Sequence, residues 1–252
     1  MAPPQALLYA LGVIRTVAWK ETRSYFASFM AYVLAFTTFW LTWQVWTLVV
    51  FYNSQNAVIH QAIAIIPQVY LFTLPLVTMR LFAEEKSTGT VELLLTGPVT
   101  EWQVVLGKYV GGMAIVMFMT FSTLHLPFLA ARYGTIDFGP IKSVYLGTLL
   151  VGSAFLALGM FASSLTDSQV VAGFLTFGAL VTQLFLGSWG PQTTSTLLGV
   201  EWAKVLPELS VFSHLETMSA GEVHAKDVFY YASFSFFFLY GTVKSLQSRN
   251  WR

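Results

Sequence analysis

Residues 24–79, 109–131, 143–166, 168–200 and 228–243 contain no Asp, Glu, Lys or Arg. A helix needs about 20 mainly apolar residues to cross the hydrocarbon of a bilayer. The first run would make about 84 Å of helix at roughly 1.5 Å per residue, too long for one crossing. The polar patch Asn53-Ser54-Gln55-Asn56 divides it in two. The pattern therefore predicts six membrane spans, at about 27–51, 62–79, 109–130, 144–163, 169–187 and 228–244. The polar stretch 187–200 lies outside the fifth span. The whole chain, 1–252, reads as one transmembrane domain of the all-α class.

Between the spans the polar positions are patterned too. Leu7, Leu8, Leu11, Ile14 and Ala18 recur at helical spacing, with Arg15, Lys20 and Arg23 adding positive charge. This predicts an amphipathic helix at about 6–23 on the inner membrane surface. After the second span, Thr90 caps a short helix with Glu92 near its positive end and Leu93, Leu94 and Leu95 as its apolar side. Gly97-Pro98 stops it. Thr100 and Gln103 fit a capping box, and Val99 with Val104 a hydrophobic staple, at the entry to the third span. Gly107 and Gly111 form a GxxxG, which favours close helix approach. Pro67 and Pro75 interrupt the second span. Thr166 or Asp167 caps the fifth. His125, beside Pro127, lies near the outer end of the third and suits an interhelical hydrogen bond or an interfacial position. In 188–227, Leu198, Trp202, Val205, Leu206 and Leu209 predict short amphipathic helices broken at Pro207.

Composition supports the membrane reading. The chain is 56% hydrophobic and 10% charged, against about 25% charged in soluble domains. A net charge of +1 gives no reason to expect a nucleic-acid partner. With no cysteine, disulfides and thiolate chemistry are excluded. Nine of the 13 Lys and Arg residues fall inside if the N-terminus is inside: Arg15, Lys20, Arg23, Arg80, Lys86, Lys108, Lys244, Arg249 and Arg252. This bias predicts both termini in the cytoplasm, with no cleavable signal peptide. Gly107-Lys108 lacks the upstream glycine of a phosphate loop, and neither HExxH nor GxSxG occurs. Glu84-Glu85 lacks the intramembrane Arg and His partners that a protease would need. The expected chain is non-catalytic and holds no metal or cofactor.

The inner-loop text FAEEKSTGTVELLLTGPVTEWQVVLGK, residues 82–108, closely resembles the coupling region of ABC type-2 transporter permeases. It is nearest the branch of the gliding-motility and nitrous-oxide-reductase maturation permeases. WKETRSYFAS at 19–28, SSLTDSQVVA at 163–172 and DVFYYASFSFFFLYGTVKSLQSRNW at 227–251 resemble the same branch. The resemblance implies six spans, an N-terminal interface helix, a cytoplasmic coupling helix at about 88–97 and outer half-helices before the last span. It also implies a separate ABC ATPase in two copies that carries ATP and Mg, a second permease subunit (identical or different), an accessory protein in some systems, and an inner-membrane location. On that basis Glu84, Glu85, Lys86, Gly89, Thr90, Glu92, Leu93 and Leu94 contact the ATPase. The alternatives are a membrane scaffold that transmits force in an ATPase-driven assembly, and an ATPase-independent carrier. The uncharged aromatic spans permit a lipid-like or amphipathic cargo without specifying one.

Overall fold

The computed structural model describes residues 3–52, 63–90, 99–132, 138–189, 196–197 and 200–249. Helices α1 (Pro3–Ala27) and α2 (Met30–Tyr52) open the chain. They are followed by α3 (Ile66–Thr78), the short α4 (Ala83–Ser87), α5 (Glu101–Phe121) and α6 (His125–Ala130). Next come α7 (Phe138–Leu165) and α8 (Gln169–Trp189). A two-residue pair, β1 (Thr196–Leu197) with β2 (Val200–Glu201), leads to α9 (Trp202–Glu208), α10 (Val211–Ser219) and α11 (Ala225–Arg249).

Helix α7 is the axis of the bundle, and α3, α5, α8, α10 and α11 all pack on it. Its inner face is apolar and buried from Val144 to Met160. Helix α1 lies instead along α5. Many threonine hydroxyls in this apolar setting are satisfied within their own helix, whereas the buried Thr148 Oγ1 on α7 finds no partner among the described residues. Thr38, Thr42, Thr73, Thr78, Thr120, Thr176 and Thr242 each donate to the carbonyl four residues earlier. A polar group without water costs free energy unless it finds such a partner.

Four helical segments are long and apolar enough to cross a membrane: Ile66–Ser87, Glu101–Ala130, Phe138–Leu165 and Gln169–Gly187. A fifth is obtained if α1 and α2, bent by 72°, count as one broken span. Helices occupy all six segments predicted as spans, but the last, α11, dilutes its Phe residues with Tyr and Ser.

Several local expectations change. The first helix is longer than 6–23 and starts at Pro3, a position where a missing N–H costs nothing. Pro67 does not interrupt the second span. It falls in the first turn of α3, and only Pro75 is interior. The third span breaks at residues 122–124, because Pro127 cannot donate to the Thr123 carbonyl. The chain there uses tighter three-residue bonds, such as Thr123 N–H to Thr120 O and Leu126 N–H to Thr123 O. Among the described residues His125 makes no polar interhelical bond. Its Nδ1 meets Ser122 O at 3.0 Å within its own segment, and its ring lies 4.7 Å from that of Phe39 on α2. Leu198 lies outside the described residues; α9 begins at Trp202, after the strand pair, and Pro207 lies inside it. Ser168 takes the capping role at α8: its Oγ accepts from Val171 N–H and its carbonyl from Ala172 N–H.

Candidate functional site

At the end of the bundle where α7 finishes, α1, α4 and α5 converge on a buried lysine. Lys108 is 1% exposed, and an ammonium in that position is tolerable only with close counter-charges. Its Nζ lies 2.7 Å from Glu21 Oε1 on α1 and 2.9 Å from Glu85 Oε2 on α4. The Phe82 ring is 5.3 Å away. Glu85 is also approached by Lys20, at 3.4 Å from Oε1. Two carboxylates and two ammonium groups thus tie three elements together.

The glycines flanking Lys108 make this geometry accessible. A Cβ on Gly107 would lie 2.6 Å from Val17 Cβ, and one on Gly111 would lie 2.6 Å from Glu21 Cβ. The GxxxG therefore seats α1 against α5, with Lys108 between its two glycines. The capping box is present: Gln103 N–H donates to Thr100 Oγ1 at 3.4 Å, and Thr100 N–H donates to Gln103 Oε1 at 3.0 Å. It fixes where α5 starts, and hence where Lys108 points.

Helix α4 is held from its other side by α7. Ser163 Oγ accepts from the N–H groups of Phe82 and Ala83, at 3.2 and 3.0 Å. These are donors that a helix start leaves without intrahelical partners. The buried Lys86 ammonium donates to the Ser164 carbonyl and lies 3.9 Å from Asp167 Oδ1. Ser245 on α11 donates to the same Ser164 carbonyl. Glu84 faces outward beside Arg80, at 3.7 Å. Thr88 closes α4, and Gly89 follows at φ 69°, the left-handed position that ends a helix without a Cβ penalty. Thr90 Oγ1 donates to Glu85 O at 3.2 Å.

Of the residues expected to contact a partner, Glu85 and Lys86 are thus engaged within the chain. Glu84, Gly89 and Thr90 are at its surface. Glu92, Leu93 and Leu94 lie outside the described residues. Sequence reading did not single out Glu21, Lys108 or Ser163 as site residues. The available signals were the lone acid among three cations in α1 and a lysine inside a GxxxG. Among the described residues no group of three or more His, Asp or Glu could hold a metal ion.

A second polar cluster closes the opposite end of α7. His214 on α10 places Nδ1 2.7 Å from Asp227 Oδ1 and Nε2 3.1 Å from the Glu208 carbonyl. Both ring nitrogens thus face oxygen atoms of neighbouring residues. Thr217 donates to Asp227 Oδ2 at 2.8 Å, and Tyr230 stacks on the ring at 4.1 Å. Burial works against ionisation of Asp227. The hydrogen bonds from His214 and Thr217, with the charges of His214 and Lys226, outweigh it and hold the carboxyl below its usual range.

The family model described as ABC-2 family transporter protein matches residues 51–242, and the chain belongs to that family. Its long apolar helices fit a multi-pass membrane protein of that family. Over 114 residues it is 26% identical to a protein of Escherichia coli strain K12 named "Probable multidrug ABC transporter permease YbhR". The counterpart in Escherichia coli O157:H7 gives the same figures. That alignment takes in 45% of this chain and 30% of each relative, so the chain spans less than a third of the length of the curated relatives it matches.

Proposed function

We propose that this chain is the membrane subunit through which a separate ABC ATPase drives movement of a substrate across the cytoplasmic membrane. Six spans, cytoplasmic termini and a paired permease subunit belong to this reading, as does its placement near the gliding-motility and nitrous-oxide-reductase maturation branch. ATP and Mg act on the partner. The observation that supports it most is the clamping of α4. The segment leaving α4 carries the leucines of the expected coupling helix. Its root is tied to α1 and α5 through Glu85 and Lys108, and to α7 through Ser163 and Lys86. A push on that segment is therefore delivered to three long helices at once. In energetic terms, the nucleotide cycle stabilises one of two packings of the bundle.

Docking itself would rest on burial of Leu93 and Leu94. Exposed ion pairs contribute only about 0–1 kcal/mol each, so an outward Glu84 sets register more than affinity. Leu94→Asp is the direct test. Loss of co-purification with the ATPase is expected, with the chain still inserted in the membrane. Undiminished co-purification would contradict the proposal.

A further inference from the structure

The charges of α1 are sorted by direction. The helix carries Arg15, Lys20, Arg23 and one acid, Glu21. That acid is turned inward onto Lys108 at 2.7 Å, beside Gly111. The three cations remain on the exposed side, and among the described residues Arg15 and Arg23 make no ion pair. The apolar residues divide in the same way. Ala18 and Tyr25 are buried, whereas Leu8, Leu11 and Trp19 are exposed, Trp19 to 69%. Thr16, Trp19, Lys20, Arg23, Ser24 and Ala27 line a groove of about 450 Å³ on this side. The 72° bend to α2 turns α1 toward the membrane plane if α2 crosses the bilayer.

We propose that this groove binds the headgroup of an anionic phospholipid. An exposed face with cations, no acid, a tryptophan and flanking leucines matches the headgroup boundary of a negatively charged leaflet. Arg23 supplies a planar donor fork for phosphate oxygens and Lys20 a point charge. The Ser24 hydroxyl adds a donor, and Trp19 packs where the glycerol meets the acyl chains. Lys20 also lies 3.4 Å from Glu85. A bound phosphate would draw Lys20 away from Glu85 and leave that carboxylate to Lys108 alone. Lipid charge would thereby reach the node at the root of α4.

The choice of occupant rests on α1 lying along the membrane surface. Its test needs neither the ATPase nor a defined sidedness, so failure of ATPase docking would leave the readout untouched. The full chain, purified in detergent, is exposed to equal amounts of phosphatidylglycerol and phosphatidylcholine with matched acyl chains. Retained lipid is counted by native mass spectrometry. Several-fold preference for phosphatidylglycerol is expected. Lys20→Gln/Arg23→Gln should abolish it, while Lys20→Arg/Arg23→Lys and the distant Lys244→Gln keep it. Millimolar inorganic phosphate should not displace the lipid. Absence of preference in the unmodified chain, its persistence in Lys20→Gln/Arg23→Gln, or displacement by free phosphate would overturn the proposal.

Discussion

Glu21 occupies the space that a side chain on residue 111 would need: a Cβ on Gly111 would lie 2.6 Å from Glu21 Cβ. The same helix pair meets at Gly107 and Val17. Gly111→Leu should force α1 off α5 and separate Glu21 from Lys108. Overpacking of this kind costs about 1–3 kcal/mol, read as a lower midpoint of thermal unfolding in detergent. Gly12→Ala is the matched control, because a Cβ there meets nothing within 4 Å. It should be neutral or mildly stabilising, since Ala is the better helix former.

Lys108 neutralises two largely buried carboxylates, Glu21 and Glu85. Lys108→Met removes their shared counter-charge. Breaking a buried ion pair from one side costs about 3–5 kcal/mol. Adding Glu21→Gln and Glu85→Gln to Lys108→Met should recover much of that loss, because no uncompensated charge then remains. Denaturation of the single and combined variants, compared as a mutant cycle, measures the coupling. Purely additive losses would show that the three side chains do not act as a unit.

At the other end of α7, Asp227 is held below its ordinary value of 3.8 by His214 and Thr217. A depressed carboxyl contributes stability that is fully present above the unfolded value and is lost as pH falls through the folded value. The cap formed by α9 and α10 should therefore hold from neutral pH down to about 4 and loosen only in stronger acid. Hydrogen exchange across 205–220, corrected for the intrinsic rate, should show this. Asp227→Asn should loosen the cap at neutral pH as well.

The features legible in the sequence were those set by neighbours along the chain. Charge-free runs located the long helices, and Thr100 with Gln103 gave the capping box because both partners lie within one turn. The GxxxG announced a close approach, though not that α1 would make it. The node was not legible. Lys108 and Glu21 are 87 residues apart, and only the fold brings them together. Prolines were ambiguous for a physical reason. The same residue that breaks an interior turn, as Pro127 does, is harmless in a first turn, as Pro67 is. The strand pair at Thr196–Leu197 and Val200–Glu201 is too short to leave a period-two pattern. Ser163 looked like an ordinary turn residue, and its acceptor role depends on α4 arriving beside it.

The proposed function requires that the surface around α4 meet a partner on the cytoplasmic side. The chain has no cysteine, so Glu84→Cys introduces a single reporter at an outward position beside Arg80. A membrane-impermeant maleimide would be applied to right-side-out and inside-out vesicles, with and without the ATPase subunit. Labelling from the cytoplasmic side only is expected, with protection once the ATPase is bound. Labelling from the outside, or labelling that the ATPase leaves unchanged, would contradict the proposal.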